Sequence, residues 1–151
     1  TGIILVDGED GAIIACGVMV ARALQAAEEL RREGIYPRVV EMHTIKPLDV
    51  ELVTACALET GAIVTAEEHT ILGGLGGAVA ECVAGTFPVP VERVGIADTF
   101  AESGPYLDLL DKYGMSVQAI AEAVRQALKR KASTEVRENG LERTQGAKIC
   151  S

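Results

Sequence analysis

The chain has 151 residues, a formal net charge of −8, and 48% hydrophobic but only 3% aromatic residues. That length suffices for one domain with a sizeable core, which must be aliphatic and rich in alanine. The acidity argues against nucleic-acid and anionic-membrane partners, and neither a signal peptide nor an apolar run of the roughly 18 residues needed to span a bilayer is present.

In chain order, Thr1-Gly2 carries no initiator Met and runs at once into apolar Ile3–Val6, as though cut from something longer. Ile3–Val6 reads as a strand and Asp7-Gly8-Glu9-Asp10-Gly11 as a turn. Ala12–Ala15 is a second strand, fully apolar and therefore expected at the sheet centre. A hairpin between the two strands is one option; the link alone does not decide it. Cys16-Gly17 ends the second strand. From Met19 to Glu33, Val20, Ala23, Leu24, Ala27 and Leu30 recur at helical spacing, and Gly34 stops the helix.

Arg38–His43 is the third strand. Pro47 pushes Lys46 towards an extended backbone, and Asp49 is placed to cap a helix over Val50–Thr60 that Gly61 ends. Ala62–Ala66 is the fourth strand. It feeds Glu67-Glu68-His69, then Gly73, Gly74, Leu75, Gly76 and Gly77, and a helix expected over Gly77–Ala84. Val91–Ile96 is the fifth strand, ending at Asp98. A polar loop runs from Asp98 to Pro105, followed by a short helix over Tyr106–Tyr113. Ser116 is placed to cap a last helix whose stripe is Val117, Ile120, Ala121, Val124 and Leu128. Periodicity fades after Lys131, so residues 1–131 read as the domain and 132–151 as a polar, flexible tail. Six basic and three acidic residues follow Leu128, so the acidity resides in the body.

Strands alternating with helices predict a three-layer α/β/α domain on a mainly parallel sheet. Right-handed crossovers bring the loops after strands two to five to one edge, where open α/β sheets carry their functional loops. That edge collects Cys16-Gly17, His43 to Lys46, Glu67 to Gly77, and Asp98 to Ser103. The glycines match neither G-x-G-x-x-G nor a P-loop, so they favour tight turning and close helix–sheet packing over a nucleotide site. His43 and His69 with Glu41, Glu67, Glu68 and Asp98 lack metal-ligand spacing. Ser103, His69 and Asp98 make a triad on paper, but no G-x-S-x-G elbow supports it. Lys46 reads as a solvated or interface-paired cation. Cys16, Cys56, Cys82 and Cys150 show no C-x-x-C spacing, and three lie in apolar segments, the pattern of reduced thiols in a cytoplasmic protein.

Gly17 after an apolar strand, Lys46-Pro47-Leu48-Asp49, Glu67-Glu68-His69, Gly73-Gly74-Leu75-Gly76, Ala78-Val79-Ala80-Glu81, Val94-Gly95-Ile96, Asp98-Thr99-Phe100, Glu102-Ser103-Gly104 and Lys112-Tyr113-Gly114 occur in that order. The ordered set resembles the C-terminal domain of transketolase, particularly the C-terminal section of transketolases split into two polypeptides, over about Gly2 to Lys129. Ala101 stands where such proteins commonly have Gly. The resemblance implies a five-stranded mixed sheet of order one-three-two-four-five with strand one antiparallel. It implies part of a thiamine diphosphate enzyme that moves a two-carbon ketol unit between sugar phosphates. In that family thiamine diphosphate and its divalent metal, Mg in the complete enzyme, are held by amino-terminal and middle domains, so no cofactor, metal or catalytic role is carried over to this chain. The C-terminal domain then serves a dimer or binds those domains. Lys46, Glu67, Glu68, His69, Gly73, Gly74, Leu75, Gly76, Asp98 and Ser103 are the candidate interface and loop network, with Leu75 expected to offer exposed apolar contact. The same pattern suits 1-deoxyxylulose-5-phosphate synthase and the decarboxylating component of 2-oxo acid dehydrogenases. From a different class, the glycine turn and Lys46 would also suit a stand-alone anion-binding regulatory module.

Overall fold

The computed structural model describes residues 1–68, 74–95 and 115–150, with side chains given to residue 141 except that of residue 115. Five strands form one sheet: β1 (Gly2–Val6), β2 (Ala12–Ala15), β3 (Arg38–Met42), β4 (Ile63–Ala66) and β5 (Val91–Val94), in the order β1-β3-β2-β4-β5. β2 to β5 run parallel, and β1 pairs antiparallel with β3, placing Ile4 opposite Val40, with a bulge between Ile4 and Val6. The hairpin option is therefore overturned: β1 does not pair with β2, because the turn carries the chain one strand further out.

Among the described residues, four helices cover the sheet: α1 (Met19–Arg32), α2 (Val50–Thr60), α3 (Leu75–Gly85) and α4 (Met115–Cys150). Side chains alternate across the strands, so two separate cores form. Ile13, Ala15, Val39, Val64 and Ala66 pack with α1 and with Ile120, Ala121, Val124 and Ala127 of α4. Ala12, Ile14, Val40, Met42 and Ile63 pack on the other face with Val53, Cys56 and Ala57 of α2 and Leu75, Val79 and Val83 of α3. β2 is buried at every residue, as an all-apolar central strand must be.

The helix ends follow local chemistry. Beyond α1, Gly34 adopts φ +82°; its N–H bonds to Arg31 O at 3.0 Å and that of Ile35 to Leu30 O at 3.0 Å, a Schellman closure in which Ile35 joins the core beside Leu30. Asp49 caps α2, its Oδ1 accepting from Leu52 N–H at 3.1 Å, and Gly61 closes it at φ +75°. The Lys46–Pro47 peptide just before is cis.

Several boundaries differ from the sequence reading. α3 starts at Leu75, two residues before Gly77, and Leu75 is fully buried. Ser116 does not cap the last helix: α4 includes Met115, so Ser116 sits in its first turn, buried. α4 also does not end at Lys131 but runs on to Cys150, with residues 132–141 exposed. Lys131 contacts the body, its Nζ donating to Thr60 O at 3.2 Å. The helix expected over Tyr106–Tyr113, the end of the fifth strand at Ile96, and the loop from Asp98 to Pro105 lie outside the described residues.

Candidate functional site

Because β2 to β5 are parallel, their carboxyl ends share one edge, and Cys16-Gly17, His43, Glu67-Glu68, the start of α3 and Gly95 all lie along it. The organising group is Glu67. It follows β4 directly, and its N–H donates to Val94 O at 3.0 Å, extending the β4–β5 pairing by one bond. Its side chain is buried, and Oε2 accepts from Gly76 N–H at 2.7 Å.

That bond has a clear physical cause. The first N–H groups of a helix lack intrahelical partners, and a carboxylate there also meets the positive end of the helix dipole. The N-cap residue of α3 is Gly74, which has no side chain to cap with. Glu67 supplies the missing acceptor from nine residues upstream. Gly74 is required for the arrangement, since a Cβ built on it would overlap the Glu67 carboxylate. Gly76 faces the same restriction more mildly: a Cβ there would come to 3.0 Å from Thr65 Oγ1 and from Arg93 Cδ.

A second turn meets this one. Gly17 adopts φ +61°, and a Cβ on it would lie 3.0 Å from Glu68 Oε1. Beside it, burial pushes the Cys16 thiol up from its usual pKa, and the negative charges of Glu67 and Glu68 push it further. Cys16 is therefore a protonated thiol near neutral pH and a poor nucleophile. Between β4, β5 and α3 a cleft is lined by Thr65, Glu67, Gly76, Arg93, Val94 and Gly95, with no room for a water molecule. Thr65 Oγ1 is buried there without a hydrogen-bond partner among the described residues.

The structure thus brings Glu67, Glu68, Gly74 and Gly76 together with Cys16, and buries Leu75 beneath them in the α2–α3 core. Leu75 is not the exposed contact residue that the sequence suggests, because as the first residue of α3 it points into the sheet side of the helix. Lys46 and His43 do not join the group. Lys46 is exposed, and His43 Nε2 lies 3.0 Å from Glu41 Oε1. His69, Gly73, Asp98 and Ser103 lie outside the described residues. Two residues that the sequence reading passed over line the cleft, Thr65 and Arg93. The signal was present: each is a polar residue in a strand, and the parallel register places them side by side.

Chemically, the Glu67 carboxylate is engaged by a backbone N–H and the Cys16 thiol is held protonated. The described residues of this edge do not fit a diphosphate with its metal. The Gly76 N–H is already occupied, the cleft is too narrow, and among the described residues no three His, Cys, Asp or Glu side chains are grouped to hold a metal ion.

The profile of the family "Transketolase, C-terminal domain" matches residues 1–120. The chain is 46% identical over 128 residues to the 6-deoxy-6-sulfo-D-fructose transketolase subunit SqwH of a Clostridium species, covering 85% of this chain and 40% of that one. It is 45% identical over 125 residues to 1-deoxy-D-xylulose-5-phosphate synthase 1 of Geobacter sulfurreducens, covering 82% of this chain and 20% of that enzyme. Among solved structures it is similar to a split-gene transketolase described as an inactive β4 tetramer, with a TM-score of 0.80 and 49% identity over 87% of this chain and 43% of that one. The chain therefore spans less than half the length of these relatives.

Proposed function

The chain belongs to the transketolase C-terminal domain family, and from that premise we propose that it is the C-terminal section of a two-polypeptide, thiamine diphosphate-dependent ketol transferase acting on sugar phosphates. Within that enzyme it is a structural and assembly part. The cofactor and its Mg are held by amino-terminal and middle domains on a partner polypeptide, and this chain contributes the ordered carboxyl edge that meets them. The observation that carries this reading is the Glu67 carboxylate, buried and committed to Gly76 N–H at the centre of that edge. Glu68, His69, Gly73, Gly74, Asp98 and Ser103 belong to the same contact network in this proposal, and Lys46, exposed and apart from Glu67, meets the partner separately. Self-association is a further part of it, supported by the tetramer of the 49%-identical relative. The free thiols of Cys16, Cys56 and Cys82 support a cytoplasmic setting, and among the described residues no helix is long and apolar enough to cross a membrane.

The test is reconstitution. The purified chain with thiamine diphosphate and Mg is expected to show no ketol transfer, and addition of the amino-terminal polypeptide of a split transketolase to restore it. Transfer by the chain alone would refute the assignment of the cofactor to other domains. A second reading, as the corresponding section of a 1-deoxy-D-xylulose-5-phosphate synthase, rests on the identity with the Geobacter enzyme. Formation of 1-deoxy-D-xylulose 5-phosphate by the reconstituted pair, in place of ketol transfer between sugar phosphates, would select it.

A further inference from the structure

The sequence contains a single asparagine, Asn139, and a glycine follows it. That pair is chemically labile. The side-chain carbonyl carbon of the asparagine stands one ring closure away from the next backbone nitrogen, and glycine puts no Cβ in the way. Asp7-Gly8 and Asp10-Gly11 carry the same spacing, but the fold holds both aspartates. Asp7 Oδ1 accepts from Gly8 N–H at 2.8 Å and from Arg38 Nε at 2.9 Å, and Asp10 Oδ2 accepts from Tyr36 N–H at 2.8 Å. Gly8 is also pressed against the backbone of Tyr36 and Pro37, where a Cβ would overlap.

The surroundings of Asn139-Gly140 differ. Both residues are exposed on α4 beyond Lys131, and a Cβ built on Gly140 would meet nothing within 4 Å. What holds the pair is its place in the helix. Regular helix keeps the Gly140 nitrogen away from Asn139 Cγ, but an exposed helical stretch of this length is marginal in water, and glycine lowers its stability further. Transient opening of the stretch brings nitrogen and carbon together. The pair also lies past residue 120, where the match to the family profile ends, so it is a property of this chain rather than of the shared domain.

We propose that Asn139-Gly140 is a spontaneous modification site at which the chain converts itself, through a succinimide, to an aspartyl or isoaspartyl form. The Gly140 nitrogen, giving its proton to solvent base, attacks Asn139 Cγ. The new C–N bond closes the ring, the bond to the side-chain amide nitrogen breaks, and that nitrogen leaves with a proton as ammonia. Water then adds to one of the two ring carbonyls and opens the ring. No oxidant, metal or enzyme takes part. Opening on one side leaves aspartate in an ordinary backbone. Opening on the other routes the main chain through the side-chain methylene, which adds an atom to the backbone and breaks the helical hydrogen-bond register, so the helix stops before Gly140. Either product carries a negative charge where the amide was neutral. The Arg130 and Lys131 contacts with the body lie ahead of the site and are kept.

The experiment is incubation of the full chain at physiological temperature and mildly alkaline pH, alone and with the amino-terminal polypeptide of a split transketolase. Peptide mass spectrometry follows the mass gain from replacing NH2 by OH, and a protein isoaspartyl methyltransferase labels the isoaspartyl product. A short peptide of the same local sequence gives the unrestrained rate. Conversion of the full chain is expected at Asn139, within roughly tenfold of the peptide rate, because a marginal helix is open for a sizeable fraction of the time. Gly140→Ala should slow it by roughly tenfold or more, by obstructing ring closure and by strengthening the helix. Asn139→Gln should abolish the mass gain on that timescale, since its closure needs a larger ring. Circular dichroism checks that both variants stay folded. Conversion more than roughly a hundredfold slower than the peptide, in either arm, would show that the helix is held closed and would overturn the proposal. So would a rate indifferent to Gly140→Ala, or a mass gain that persists in Asn139→Gln and therefore arises at a glutamine. Isoaspartyl label appearing first at Asp7 or Asp10 would overturn the contrast on which the site was chosen.

Discussion

At the scale of single residues, Glu67 decides the shape of the carboxyl edge. A buried N–H left without its acceptor costs about 1–3 kcal/mol, so Glu67→Ala should lower stability by that order. Glu67→Gln keeps an acceptor oxygen and should recover most of the loss, though not the charge at the helix start. Gly74→Ala drives a Cβ into the same carboxylate and should destabilise comparably with no change in any titrating group. Chemical denaturation of the three variants measures all of this. In the reconstituted enzyme these changes should act through assembly. A large fall in turnover with assembly intact would assign Glu67 to the chemistry instead. Cys16 offers an independent readout of the same charges. Its thiol pKa is raised by burial first and by Glu67 and Glu68 next, so removing one negative charge lowers it and increases the thiolate fraction. Glu68→Gln should therefore speed alkylation of Cys16 by iodoacetamide at mildly alkaline pH, followed by peptide mass spectrometry; an unchanged rate would remove the electrostatic account.

At the scale of elements, the caps explain which parts of the fold were legible. The Asp49 carboxylate accepts from Gly2 N–H at 3.0 Å and Leu52 N–H at 3.1 Å, tying the start of α2 to the start of β1. Those two N–H groups hold its pKa below the usual 3.8. A depressed carboxylate stabilises the fold at pH values above its unfolded pKa, and the contribution is lost as pH falls below 3.8 through the folded value. Asp49→Ala should cost about 1 kcal/mol at neutral pH, with the difference from wild type shrinking in acid; thermal melts across that range check it. This cap, the Gly34 and Gly61 stops, and the five strand cores could all be read from the sequence, because each depends on neighbours within a few residues. The pairing of β1 with β3 came only from the family resemblance, which implied this strand order and which the sheet bears out, since an apolar run states which face is buried but not which strand lies beside it. The start of α3 was obscured for a related reason. Glycines carry no helical signal, and the acceptor that makes Leu75-Gly76-Gly77 a helix start is Glu67, supplied from across a turn. Leu75 looked exposed in sequence because its burial is decided by α2 and the sheet, neither of which is local to it.

At the scale of the whole molecule, α4 behaves as two parts of unequal weight. Up to Lys131 it is bound on several sides. Ile120, Ala121, Val124 and Ala127 fill the core, and Arg125 pairs with Glu33, the residue that follows α1, at 2.9 Å. Arg130 donates to Val91 O at 3.2 Å and pairs with Glu92 at 3.1 Å, and Lys131 donates to Thr60 O. From residue 132 to 141 every described side chain is exposed, including Val136 at 70% and Leu141 at 63%. An exposed helical extension gains little beyond its own backbone bonds, and an isolated helix of that length is marginal in water. Gly140 within it lowers helix propensity further, by about 1 kcal/mol relative to Ala. Removing residues 133–151 should therefore leave the melting temperature of the body, its self-association and its binding to the amino-terminal polypeptide unchanged. Ending the chain after Leu128 should instead lower stability measurably, because it also removes the Arg130 and Lys131 contacts that close α4 onto β5 and the end of α2. That one ion pair and the two carbonyl bonds are partly exposed, so the loss should be modest, on the order of 1–2 kcal/mol. Calorimetry of the two truncations side by side makes the comparison. A large loss from the longer truncation product would show that the extension packs against the body or a second copy, and would move the domain boundary from Lys131 to the end of α4.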